Sequence, residues 1–124
     1  MNNSYILLRH AHSRFSSDDF NRTLSEKGFS SLDQLEFLNS FNIDYYFSSP
    51  YKRAFETINS SPIQFDKIVL DNRLRERKLS STFIKDSEFE DSIKYLWQNP
   101  SKSLSEGESN QDALARVLNF LMEL

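Results

Sequence analysis

Short apolar runs at Tyr5–Leu8, Tyr45–Phe47 and Lys67–Leu70 alternate along the chain with segments of helical periodicity. Each run is too short for a helix and reads as a strand buried on both faces. After the first, Phe29, Leu32, Leu35 and Leu38 recur in steps of three. They predict a helix entered at Leu24-Ser25-Glu26, with Thr23 or Ser25 capping its first turn. After the second run, Ser49 suits an N-cap and Pro50 a first helical position, so a helix should run from about Tyr51 to Asn59. Phe89, Ile93, Leu96 and Trp97 mark another helix, stopped near Pro100. Ser109 to Asp112 can cap a last helix whose apolar stripe is Leu114, Val117, Leu118 and Leu121. Strands alternating with helices predict an α/β fold: three layers, α/β/α, around a mainly parallel sheet with Tyr5–Leu8 as a central strand. At 124 residues the whole chain, 1–124, is expected to form a single domain.

The charge balance narrows the function. Fifteen Lys and Arg stand against eighteen Asp and Glu, a formal net charge of −3. A nucleic-acid partner would call for a basic excess or stripe, so none is expected. The densest basic stretch, Arg73-Leu74-Arg75-Glu76-Arg77-Lys78, is broken by a glutamate and reads as a solvated face. No cysteine occurs, which excludes disulfides, thiolate nucleophiles and Cys-ligated zinc. The N-terminal apolar run is too short for a signal peptide, and no run reaches the roughly 18 apolar residues of a membrane span. A cytoplasmic protein without a membrane partner is expected.

In open α/β sheets, ligands bind beyond the carboxyl ends of the strands. Three polar constellations fall there: Arg9-His10-Ala11-His12-Ser13, Ser48 to Arg53, and Leu74-Arg75-Glu76-Arg77. Together they bring arginines, an imidazole and a carboxylate to one edge. Guanidinium groups match phosphate oxygens two at a time, and Arg53 near a helix N-terminus gains the free backbone N–H groups there. Imidazole titrates near ~6.5, so His10 can serve as a neutral nucleophile. Glu76 can protonate a departing alkoxide.

These residues resemble a known family, the histidine phosphatase superfamily, also called the phosphoglycerate mutase-like family. Arg9-His10-Ala11-His12-Ser13 is similar to its Arg-His-Gly-x-Ser/Thr signature, with alanine in place of the glycine. Leu24-Ser25-Glu26-Lys27-Gly28 resembles its Leu-Thr-x-x-Gly helix entry, and Ser48-Ser49-Pro50-Tyr51-Lys52-Arg53-Ala54-Phe55-Glu56-Thr57 its Ser-Ser-Pro-x-x-Arg-Ala-x-x-Thr block. Leu74-Arg75-Glu76-Arg77 resembles the block bearing the acid, and Gly107-Glu108-Ser109 with Arg116 a later Gly-Glu-Ser block. The resemblance implies a phosphoglycerate mutase-like fold and a phosphomonoester hydrolase. His10 would form a phosphohistidine, Arg9 and Arg53 would bind phosphate, and Glu76 would serve as general acid, then as base for water. It implies no metal and no cofactor. Its substrate would be a small phosphorylated compound or a phosphoprotein. His12, Ser13 and Ser16 stand where a substrate rim would lie, with His12 read chiefly as a solvated rim residue.

The resemblance also implies a second catalytic histidine in a His-Gly pair after one further strand. The sequence holds only His10 and His12 and ends at Leu124. One lost phosphate donor costs about 2.7–4 kcal/mol of transition-state stabilisation. Hence the chain is expected to lack the C-terminal portion of the family fold and to have little activity alone. It would be either a piece of a longer protein or a homodimer covering an open sheet edge. Two alternatives stay open beside hydrolysis: a non-catalytic domain binding phosphate or a phosphoprotein, and a mutase-type phosphoryl transfer. Lys78-Leu79-Ser80-Ser81 after the acid block, where mutases carry glycines, favours hydrolysis, and Ser80 to Ser105 would hold the residues that choose the substrate. A His-x-His metal hydrolase has little support, because no further histidine or cysteine completes a ligand set and such barrels need about 250 residues.

Overall fold

The computed structural model describes residues 3–80 and 84–124; Ser81, and with it part of the Ser80–Ser105 segment, lies outside them. The chain divides into two compact units, Met1–Arg75 and Glu76–Leu124.

The first unit contains a parallel strand pair, β1 (Tyr46–Ser48) and β2 (Ile68–Leu70), with Tyr46 opposite Ile68 and Ser48 opposite Leu70. The Asp71 N–H continues the ladder by donating to the Ser48 carbonyl at 2.9 Å. Both strands fall within a residue of the positions predicted from the apolar runs. The first run does not. Tyr5–Leu8 forms no strand, and Leu7 is 83% exposed. A strand is a property of a pair, and neither β1 nor β2 takes residues 5–8 as a partner. The expected central strand is therefore corrected: among the described residues the sheet is the β1–β2 pair alone.

Helix α1 (Glu26–Ser31) is capped by Ser25, whose side chain accepts from the Gly28 N–H. The chain then tightens into a 3₁₀ segment, Leu32–Ser40. Nine residues is long for this geometry, which rarely exceeds a turn or so. The sequence gives the reason. Three residues per turn stack positions i and i+3, so Leu32, Leu35 and Leu38 form one straight row, whereas 3.6 residues per turn would let them drift. Leu32 and Leu38 are buried and Leu35 is half-buried. With Leu24 and Ile63 they make the core of this unit. Each such side chain contributes about 1.5–3 kcal/mol when fully covered.

Helix α2 (Lys52–Asn59) starts one residue later than predicted, and its N-cap lies two residues later. The Ser49 hydroxyl accepts from the Tyr51 N–H at 3.2 Å, which closes a turn before the helix, and Tyr51 becomes the N-cap. After β2, a 3₁₀ turn at Asn72–Leu74 is capped by Asp71. Asp71 Oδ1 accepts from the Arg73 N–H at 2.9 Å and from Arg73 Nε at 3.0 Å, while Oδ2 takes Nη2 at 2.7 Å. Hydrogen bonds from the Arg73 side chain, then from its backbone, hold the Asp71 carboxyl below the usual carboxylate value. Such a group stabilises the fold above its unfolded pKa of ~3.9, and that stability is lost as pH falls through the lower, folded value. The turn is thus expected to keep its order through mildly acidic pH and to loosen only in stronger acid. In an NMR titration of the carboxyl carbons, Arg73→Ala should move the Asp71 midpoint upward; an unmoved midpoint would refute this cause.

The second unit holds helices α3 (Asp86–Gln98) and α4 (Asn110–Glu123). Helix α4 opens with a reciprocal capping box between Ser109 and Asp112, at the place the sequence indicated. The buried residues are Leu96 of α3 and Phe120 of α4. The predicted stripe on α4 is rotated. Leu114 and Leu118 are exposed, and the inner face runs through Ala113, Arg116, Val117, Phe120 and Leu121. Arg116 belongs to that face because it is an ion-pair partner, which a count of apolar residues passes over. In α3 the large rings of Phe89 and Trp97 are likewise exposed.

Candidate active site

Helix α2 organises the candidate site within the first unit. Its motif residues hold three segments that precede it in sequence by about thirty to forty-six positions. Thr57, 2% exposed, accepts from the Ala11 N–H at 3.0 Å and donates to the Arg53 carbonyl at 2.8 Å. One hydroxyl therefore joins the His10 loop to the turn of α2 that carries Arg53. Glu56 Oε1 accepts from the Thr23 hydroxyl at 2.6 Å and from the Leu24 N–H at 3.2 Å. Arg53, 3% exposed, donates from Nη1 to the Asp19 carbonyl at 2.7 Å and lies 3.3 Å from Asp19 Oδ1, its guanidinium 5.0 Å from the centre of the Tyr51 ring. The Lys52 N–H, one of the donors a helix N-terminus leaves open, is taken by the Phe20 carbonyl at 3.0 Å.

The imidazole of His10 is fixed by its own loop. Nδ1 lies 2.7 Å from the Ala11 carbonyl oxygen. A carbonyl can only accept, so Nδ1 carries the proton and the lone pair of the neutral ring sits on Nε2. Arg9 beside it is exposed. Thus Thr57 ties the loop that carries His10 to the turn of α2 that carries Arg53, with Arg9 adjacent to His10 in sequence.

The rim residues have structural partners. His12 Nδ1 is 2.6 Å from the Ser25 hydroxyl, and the His12 carbonyl accepts from the Ser25 N–H at 2.9 Å. His12 pins the loop to the cap of α1, while its ring remains exposed. Gly28 permits this contact, since a Cβ there would stand 2.1 Å from the His12 carbonyl oxygen. Ser13 forms an isolated antiparallel bridge with Leu24. The Ser16 hydroxyl accepts from the Asp18 N–H at 3.1 Å, a local loop turn. Asp18 in turn takes both the Asn21 side chain and its backbone N–H, contacts that hold its carboxyl low.

Two residues of this loop were not singled out by sequence reasoning. Asp19 Oδ1, besides its contact with Arg53, lies 3.8 Å from Arg22 Nη2. Arg22 Nε is buried and has no hydrogen-bond partner among the described residues. A hidden, unsatisfied donor costs about 1–3 kcal/mol and calls for an explanation.

Glu76 begins the second unit and is exposed. Its neighbour Arg77 was read as part of a solvated face, and that is corrected. Arg77 is half-buried, with Nε and Nη2 donating to the Glu108 carbonyl at 3.1 and 2.9 Å and Nη1 to Asn110 Oδ1. Glu108 forms a two-pronged ion pair with Arg116, 2.8 Å on each branch. The Gly-Glu-Ser block is thus a brace for the segment that carries Glu76, beyond its service as a helix start.

A depression of about 460 Å³ opens at the other end of the strands, between residues 43–46 and 64–69. Asp44 and Asp66 line it against a single cation, Lys67, so it repels a phosphate. No group of three His, Asp or Glu among the described residues is placed to hold a metal ion. No helix among them is long and apolar enough to cross a membrane.

The buried Arg53 guanidinium lies on the helix that follows β1, and Thr57 ties the loop carrying His10 to that helix. The chain belongs to the histidine phosphatase superfamily, branch 1, whose family model matches residues 5–124. A search of the curated proteins found no match. Among solved structures, it is similar to a mycobacterial glucosyl-3-phosphoglycerate phosphatase determined with inorganic phosphate, with 20% identity and a TM-score of 0.73 over 93% of this chain and 59% of that one. It is also similar to an Escherichia coli protein provisionally assigned as an alpha-ribazole-5'-P phosphatase, with 18% identity and a TM-score of 0.70 over 94% of this chain and 64% of that one. The fold is accordingly the phosphoglycerate mutase-like α/β fold, and the chain spans about three-fifths of the length of these structures.

Proposed function

We propose that the protein is a phosphomonoester hydrolase working through a phosphohistidine on His10, acting in the cytoplasm on a small phosphorylated compound or a phosphoprotein. The observation that carries this is the 2.7 Å contact from His10 Nδ1 to the Ala11 carbonyl, which puts the proton of the neutral ring on Nδ1 and its lone pair on Nε2, the atom that would attack. In the first step that pair forms the N–P bond while the P–O bond to the leaving group breaks. The departing alkoxide takes a proton from Glu76. In the second step Glu76 accepts a proton from water as the water oxygen bonds to phosphorus, the N–P bond breaks, and phosphate leaves. Arg53 and Arg9 bind the equatorial oxygens as charge builds on them. No metal enters either step.

Support comes from the family membership, from the burial of Arg53 and from the tie that Thr57 makes between its helix and the His10 loop. Intact-mass and peptide mass spectrometry after incubation with p-nitrophenyl phosphate and an alkaline quench tests the reading. One phosphoryl group on His10, acid-labile and absent from His10→Asn, is expected. Turnover that survives His10→Asn would overturn it. Tight phosphate binding with neither label nor turnover would instead mark a binding domain.

A further inference from the structure

Asp19 Oδ1 lies within ion-pairing reach of two guanidinium groups, 3.3 Å from Arg53 Nη1 and 3.8 Å from Arg22 Nη2. Its side chain is 62% exposed, whereas that of Arg53 is 4% exposed and that of Arg22 24%. The two cations are thus built into the unit, and the anion between them reaches in from solvent. Arg22 also carries an Nε that no solvent reaches and that meets no acceptor among the described residues. Fixed donors of this kind suit an anion with more oxygens than one carboxylate supplies.

We infer that Asp19 is an internal counter-anion, seated between Arg53 and Arg22 until a phosphoryl group displaces it, and that Arg22 is a further phosphate-binding residue. This rests on the phosphate-site reading above and adds to it a competitor and a third arginine. A phosphoryl dianion presents three oxygens to the two guanidiniums, one of which can take the orphaned Nε–H. The Asp19 side chain is 62% exposed, and its backbone carbonyl accepts from Arg53 Nη1 at 2.7 Å, so the carboxylate can swing toward water while the loop stays tied. Seated or displaced, the carboxylate stays near the entrance and disfavours substrates with a second negative charge beside the phosphoryl group. Asp19 is thus a specificity-determining residue.

The test is calorimetric titration of the full chain with inorganic phosphate, for wild type, Asp19→Asn, Arg22→Gln and the double variant. Removing one competing charge at this distance should tighten phosphate binding by about tenfold or more in Asp19→Asn. Arg22→Gln should cancel most of that gain in the double variant. Thermal melts without phosphate accompany each titration, so that a loss of folding is read separately. Unchanged or weaker binding by a folded Asp19→Asn, with wild type still binding, overturns the inference and leaves the phosphate site standing. An equal gain in the double variant overturns the role of Arg22. Absence of binding in all four proteins overturns the inference and the underlying site together.

Discussion

Alanine at position 28 is expected to lower stability by about 3 kcal/mol, the upper part of the range for forced overpacking. The new Cβ would stand 2.1 Å from the His12 carbonyl oxygen and 3.1 Å from its carbon. Both are backbone atoms, so no rotamer change relieves the clash. The carbonyl is held in place by the Ser25 N–H at 2.9 Å, and Ser25 also caps α1 through the Gly28 N–H at 3.0 Å. Relief must therefore separate the His10–His12 loop from the helix. Denaturant unfolding should show a lower midpoint with an unchanged slope, and phosphate-ester turnover should fall with it. A loss under about 0.5 kcal/mol, typical of neutral surface changes, would show that the contact gives way freely.

Thr57→Val should have the second largest effect. It keeps the shape and removes a buried hydroxyl that serves two backbone groups, leaving the Ala11 N–H without its acceptor. The expected loss is about 2 kcal/mol, with a larger fall in turnover than in global stability, because the His10 loop is what comes loose. Thr57→Ser retains the hydroxyl and should preserve most of the turnover at the cost of one methyl group, about 0.8 kcal/mol. Equal turnover in the valine and serine variants would remove Thr57 from the positioning of His10.

The sequence made the chemistry easier to read than the sheet. Arg9-His10 and Ser48 to Arg53 are local patterns, and their neighbours in space follow from helix spacing: Arg53 and Thr57, four apart, share one face of α2. That spacing already marked Thr57 as belonging with the arginine. Tyr5–Leu8 misled because an apolar run states only that a segment suits burial, and pairing depends on a partner elsewhere in the chain. The steps of three in Phe29, Leu32, Leu35 and Leu38 held a further message, a 3₁₀ row, but over nine residues that geometry is rare enough for an α-helix to be the natural expectation. Asp19 and Arg22 lie in a loop without periodicity, and only coordinates could bring them together. On α4, Arg116 on the inner face shifted the stripe, because its Glu108 partner satisfies a charge that polarity alone would send to water.

The fastenings made by α2 also govern the order in which the molecule comes together. The bonds from Thr57 to Ala11, from Arg53 to Asp19 and from Glu56 to Leu24 close chain separations of 46, 34 and 32 residues. The β1–β2 register, pairing Tyr46 with Ile68, closes a shorter separation of 22 residues. Entropy of loop closure rises only slowly with length, by about 0.6 kcal/mol per doubling, yet it must be met before distant contacts return anything. The strand pair and α2 can consequently assemble early, as a local platform. The segment from Arg9 to Thr23, tied both to α2 and to the Ser25 cap of α1, can then settle late. The His10 loop thus takes its place after the platform, and a chain caught before that step carries every residue of the motif without the ties that hold them together.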